Sequence, residues 1–157
     1  MDNELINERE LEQMATEFAK KAMILNEPTF NRLARRYLSI IPSNGSAAYR
    51  LKNGETGILI NWDHYKKELG EDFTDCIDYE INHEAWELAL VREKKSANPF
   101  GPDHYVAIQK TLEKAKRDGK LERYMDFKTK QLDQFTKNGD TYAAEELQKY
   151  KDMISEL

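Results

Sequence analysis

The chain has 157 residues, with 24 Lys and Arg against 29 Asp and Glu, a net charge of -5, 39% hydrophobic residues and one cysteine, room for one domain rather than two. Charged residues reach 34% while Gly is 7 and Pro 4; against the roughly 25% charge of an average globular chain, this favours long solvated helices and excludes an all-β fold. No stretch approaches the roughly 18 to 20 uncharged apolar residues of a membrane span, the start Met1-Asp2-Asn3-Glu4 is acidic where a secretory signal is basic, and Cys76 has no internal partner, so a cytoplasmic protein is expected.

Leu11, Met14, Ala15, Phe18, Ala22 and Leu25 recur at three- and four-residue spacings, which predicts an amphipathic helix over residues 4–25 that stops before Pro28. A second helix begins near Pro28, carries Phe30, Leu33, Ala34, Tyr37, Leu38 and Ile41, and ends at Pro42. Residues 42–46 read as a loop. Ala48 to Lys52 and Gly57 to Asn61 flank the turn signal Asn53-Gly54-Glu55-Thr56, which predicts a β-hairpin near 47–61, the one sheet expected. A short helix follows over Asp63 to Leu69, broken by Gly70, and Asp72 or Thr74 caps a helix running to about Lys94. After the loop Asn98 to Asp103, three helices are expected at about 102–118, 120–137 and 140–156, separated by Asp118-Gly119 and Asn138-Gly139. The fold expected is mainly α with one hairpin. It divides into a helical domain over residues 1–137 and a peripheral C-terminal helical extension over 138–157.

Charge is unevenly spread. From Asp2 to Glu17 six acids face one base, whereas Lys110 to Lys130 holds eight bases and four acids. The basic positions form no groove-sized stripe and match no nucleic-acid motif, so they read as a solvated helix surface, and no nucleic-acid or membrane partner is expected.

The run from Tyr79 to Leu90 carries the chemistry. With His83 at zero on a helical wheel, Glu87, Glu80 and Glu84 fall at roughly 40°, 60° and 100°, so one imidazole and three carboxylates share about a quarter of the circumference. Ile77, Ile81 and Leu88 lie on one side of that arc, and Cys76, Tyr79, Trp86 and Leu90 on the other. The arc thus sits within the apolar side of the helix, where Glu80, His83, Glu84 and Glu87 are expected to line a concave, partly buried site. Burying several carboxylates costs several kcal/mol each unless a metal ion, a basic side chain or a proton balances them.

His83-Glu84-x-x-Glu87 resembles the HExxH motif of zincin metallopeptidases, with glutamate in place of the last histidine. Residues at i and i+4 lie one turn apart on one helix and can grip one ion. The resemblance spans roughly residues 47–115 and includes a strand, Gly57 to Asn61, before the active helix. It implies that zinc is held by His83 and Glu87 and that Glu84 is the general base. It also implies that the strand is an edge, to which an extended peptide adds by main-chain hydrogen bonds. For the third ligand, His104 shares a helix side with Ile108, Leu112 and Ala115, although a simple antiparallel pair of helices sets Glu113 level with His83. A helix-start histidine satisfied by backbone or a neighbour is the other reading of His104.

Glu80-x-x-His83 also has the spacing of one half of a di-iron site, but Asn61 precedes His64 and Gly101 precedes His104 by three residues, so no second copy exists. Cys76 is nearly two turns from His83 and reads as a small core residue. The function expected is a metal-binding, zincin-like protein acting as a peptide hydrolase or retaining only its metal site. The alternative is a non-catalytic helical module that meets a protein partner through Tyr79, Trp86 and its charged outer helices. The oligomeric state is left open.

Overall fold

A computed structural model describes residues 2–37, 46–50, 56–94 and 102–157. The elements in chain order are α1 (Asp2–Lys20), β1 (Met23–Leu25), α2 (Glu27–Tyr37), β2 (Ser46–Arg50), β3 (Thr56–Asn61), α3 (Trp62–Leu69), a 3₁₀ turn (Glu71–Cys76), α4 (Ile77–Lys94), α5 (Pro102–Arg117), α6 (Leu121–Lys137) and α7 (Ala143–Ser155). The protein is mainly helical with one small sheet. The expected ends at Leu38 to Pro42, the Pro42 to Gly45 loop, the Asn53 to Glu55 turn and the Asn98 to Gly101 loop lie outside the described residues.

Local chemistry accounts for most helix ends. Asn26 caps α2 by accepting from the Thr29 amide at 3.0 Å, and Pro28 falls in the first turn, where its missing amide costs nothing. Asn61 caps α3 in the same way through the His64 amide at 3.1 Å. Between α5 and α6, Gly119 takes φ 71°, and the Lys120 amide returns to the Ala115 carbonyl at 2.8 Å, closing the helix end.

The sheet departs from expectation in two ways. Residues 23–25, expected as the last turn of the first helix, instead form β1, which pairs parallel with β3 in the register Met23 to Leu59 and Ile24 to Ile60. α1 stops at Lys20 and tightens through Lys21 to Phe18 and Ala22 to Ala19 bonds of 3.2 Å. The second departure follows from the first. The hairpin partner β2 pairs antiparallel on the other side of β3, so the strand order is β1-β3-β2 and Gly57 to Asn61 is central rather than an edge. Both sides of its backbone ladder are occupied, so no peptide can add to it. Ile58, Leu59 and Ile60 are all 0% exposed. Ile58 and Ile60 join the main core, while Leu59 packs on the opposite face with Phe30 and Ala34 of α2.

α4 is the hub. It packs against α1, α5 and the β2–β3 pair. Its buried Cys76-flanked start, Ile77, Tyr79, Ile81, Ala85, Trp86, Ala89 and Leu90 surround it with apolar contacts. Ala107, Ile108, Leu112 and Ala115 of α5, then Tyr124, Phe127 and Leu132 of α6, close the core over it. α7 is mostly exposed and sends Ala143 and Tyr150 into the same core.

Candidate metal centre

The polar arc of α4 stays inside this packing. Glu80 is 4% exposed and His83 6%, while Glu84 and Glu87 are half-buried. The carboxylates find different partners. Glu80 belongs to an ion pair with Lys128 of α6, whose Nζ lies 2.5 Å from its Oε1. The Tyr65 hydroxyl donates to the other Glu80 oxygen at 3.2 Å, and Lys128 also donates to Gln131 at 2.9 Å. Burial opposes the charge on Lys128, but the Glu80 carboxylate beside it prevails and raises its pKa.

Glu87 serves a different set. Its Oε1 lies 2.5 Å from His83 Nε2 and 2.6 Å from His104 Nδ1, and the two imidazoles meet edge to face with centroids 5.0 Å apart. His104 comes from the first turn of α5. The antiparallel register is fixed by the Asn82 to Thr111 bond of 2.9 Å and the Tyr79 to Asp118 bond of 2.9 Å, and it carries the start of α5 back to Glu87. Glu113, level with His83 in a simple pair, instead accepts from Gln109 at 3.4 Å. The other ring nitrogen of His104, Nε2, meets Glu146 of α7.

Charge follows this geometry. Burial works against charging His104, but hydrogen bonds to Glu146 and Glu87 overcome it and raise its pKa to about 9. His83 is likewise opposed by burial and raised by Glu87. Glu87 is penalised by burial, yet His83 and His104 together pull it down to about 2. With a carboxylate on each ring nitrogen, His104 donates on both sides and is an imidazolium. Glu84, buried beside Glu87, is pushed up to about 7. Lys128 and the His104 imidazolium, with His83 drawn toward its charged form by Glu87, thus supply the positive charge the sequence requires.

His83, Glu87 and His104 each offer one donor atom, all within 4.8 Å of one another, and among the described residues they form the cluster able to hold a metal ion. Nitrogen and oxygen donors around a tetrahedral zinc ion, at about 2.0 to 2.2 Å from it, lie roughly 3.3 to 3.5 Å apart. The 2.5 and 2.6 Å contacts of Glu87 with the two imidazoles are hydrogen-bond separations, so an ion held there requires these donors to move apart by about 1 Å or somewhat less. The cluster-side nitrogen of His83 is Nε2; its other nitrogen, Nδ1, is buried with no hydrogen-bond partner, a state that costs about 1 to 3 kcal/mol.

The three ligand positions read from the sequence therefore converge, and Glu84 lies beside them. His64 sits on α3 outside the cluster. Cys76 is fully buried and its thiol is pushed up to about 11, first by burial and then by Asp75, which suits a core residue. Two contributors were missed. Lys128 belongs to the basic stretch read as solvated surface but is only 7% exposed. Its spacing from Tyr124 and Leu132, four residues on each side, was the available signal. Glu146 belongs to the extension expected to be peripheral, yet it lies three residues after Ala143 and four before Tyr150, on the buried stripe of α7. Tyr79 and Trp86 are 3% and 7% exposed, so they are core residues and not a docking surface.

The fold and the cluster together define a mainly helical protein with a small sheet and a partly buried set of two histidines and one glutamate. Compared with protein-family models, with curated proteins and with solved structures, the chain has no match.

Proposed function

We propose that the protein binds a divalent metal ion, zinc for preference, through His83, Glu87 and His104, and that it is a zincin-like hydrolase of peptides with Glu84 as its general base. The observation that carries this reading is the convergence of one nitrogen or oxygen donor from each of the three residues, from two helices, within 4.8 Å. Two imidazoles and one carboxylate are also the donor composition of His₂Glu catalytic zinc sites, so a glutamate at position 87 leaves the ion the same charge as in those sites. A bound zinc ion supplies Lewis acidity and lowers the pKa of water.

The chain's own residues do the rest. Glu84 is half-buried beside the donors. Burial and Glu87 hold its carboxyl at about 7 even with His83 and Lys128 nearby, and a metal ion's added positive charge would lower it, leaving a carboxylate able to take a proton at neutral pH. Lys128 holds Glu80 out of the donor set. Since β3 is covered on both sides, a peptide substrate is held by side chains and not by addition to that strand.

A second reading has one observation in its favour. Lys128, His83 and His104 already balance Glu80, Glu87 and Glu146, as a non-catalytic helical interaction module requires. Elemental analysis of protein purified without an affinity tag separates the two. The metal reading expects about one zinc per chain, none in His83→Ala, and zinc retained but peptide hydrolysis lost in Glu84→Gln. Wild-type protein without zinc, and with none taken up on addition, leaves the second reading.

A further inference from the structure

The two nitrogens of His104 have separate neighbours. Nδ1 faces Glu87 and, through it, His83; Nε2 faces Glu146 on α7. An imidazole binds a metal through one nitrogen only when that nitrogen has lost its proton, and the tautomer that results is set by what the other nitrogen meets. A carboxylate accepts and never donates when ionised, so Glu146 keeps a proton on Nε2. Nδ1 faces Glu87, itself a ligand position, so when a metal ion takes the place of the proton between them Nδ1 is the nitrogen that gives its proton up, while Nε2 keeps its own. Glu146 also fixes the ring plane, since a short contact on Nε2 and the packing of the His104 ring against Tyr105, 5.7 Å between centroids, restrict rotation.

α7 has anchors in the core besides this contact. Ala143 and Tyr150, at 2% and 1% exposed, anchor it in the core on either side of Glu146. The carboxylate is therefore presented by a helix with core anchors of its own besides the His104 contact, the condition for a group that orients another. Its neighbour Glu145 is exposed on the outer face of the same turn.

We infer that Glu146 is a positioning residue for the metal centre, selecting Nδ1 of His104 as a ligand and making the docking of the C-terminal helix part of metal affinity. This rests on the metal reading above. It extends the site from two helices to three and gives α7 a role beyond closing the core. By linkage, metal bound at Nδ1 strengthens the hold of α7 on the domain by the same factor that α7 strengthens the metal.

The test measures zinc affinity by competition with a chromophoric chelator for wild type, Glu146→Ala, Glu146→Gln and the control Glu145→Ala. Glu146→Ala is expected to weaken zinc by about 10- to 100-fold, the usual cost of losing such a partner, with Glu145→Ala unchanged. Glu146→Gln keeps an acceptor for Nε2 without the charge and is expected to fall between. Because Gln preserves the shape, it carries the test if the Ala variant fails to fold. Nitrogen chemical shifts of His104 in zinc-loaded protein supply a readout that packing alone does not move, with Nε2 protonated in wild type and Nδ1 coordinated. Zinc binding by both Glu146 variants within twofold of wild type overturns the inference and leaves the metal reading standing. Wild-type protein that binds no zinc overturns both.

Discussion

Proton positions around Glu87 make stability depend on pH in a direction that can be worked out group by group. Glu87 has a folded pKa of about 2 against an ordinary 4.5, so its contribution is complete above 4.5 and is lost as pH falls toward 2. Glu84 runs the other way. Its carboxyl keeps a proton to about 7, while the unfolded chain releases it at 4.5, so stability falls between those values. His104 keeps its second proton to about 9 against 6.5 unfolded; its contribution is present below 6.5 and gone above 9. The metal-free protein should therefore be most stable at about pH 5 and weaken progressively toward pH 9, by on the order of 2 kcal/mol per group. Urea unfolding at a series of pH values checks this, and Glu84→Gln should remove the decline between pH 4.5 and 7. A stability that climbs from pH 5 to 9 contradicts the assignment. Lys128 offers a second residue-scale case. Lys128→Met leaves Glu80 buried without its cation and should cost about 3 to 5 kcal/mol, whereas the double variant with Glu80→Gln should recover much of that loss. Equal losses in the single and double variants would mean the pair is not coupled.

At the scale of elements, the helices follow their apolar stripes and the β2–β3 pair its local signals, while β1 does not. Among the described residues, seven helices form where the sequence places them, within a few residues at the ends that are described. β1 is three residues long, too short for a period to emerge, and its Met23 and Ile24 side chains are 39% and 53% exposed. It is a strand because β3 offers it a ladder. The central place of β3 was more legible than an edge reading allowed: Ile58-Leu59-Ile60 is a continuous apolar run, the mark of a strand covered on both faces, where an edge with one wet face alternates. Leu59 is the residue that depends on this. Leu59→Ala empties the side facing Phe30 and Ala34 and should cost about 2 to 5 kcal/mol, with hydrogen exchange rising first in α2 and β1. Uniform loss of protection across the chain would show instead that the two faces of the sheet unfold as one.

For the whole molecule, the candidate centre sits where four helices meet: α4 supplies His83, Glu84 and Glu87, α5 His104, α6 the Lys128 that neutralises Glu80, and α7 Glu146. Metal held there stabilises the folded state by RT ln(1 + [L]/Kd), about 2.7 kcal/mol at a hundredfold excess over Kd, so added zinc should raise the melting temperature and a chelator should lower it. His83→Ala should abolish both effects. Because the ligand nitrogens must shed protons to bind, the zinc-dependent part of the stability should grow with pH, opposite to the trend of the metal-free protein. A melting curve indifferent to zinc and chelator at every pH would count against coordination by these residues. Among the described residues, no helix is long and apolar enough to cross a membrane.

How much was legible divides along the range of the forces involved. Helical period places His83, Glu84 and Glu87 on one arc of α4 from residue spacing alone, and the same argument puts His104 on the inner side of α5, because both depend only on positions within one helix. Composition and turn residues likewise determine a mainly helical chain with a hairpin. What spacing within an element cannot state is which element faces which. The pairing of β1 with β3, the register that brings His104 rather than Glu113 to Glu87, and the arrival of Lys128 and Glu146 from the two last helices join residues 17 to 48 positions apart. These were decided by burial. A charged side chain on an apolar stripe must find its counter-charge on whatever packs against it, and only the packed chain brings that partner into reach.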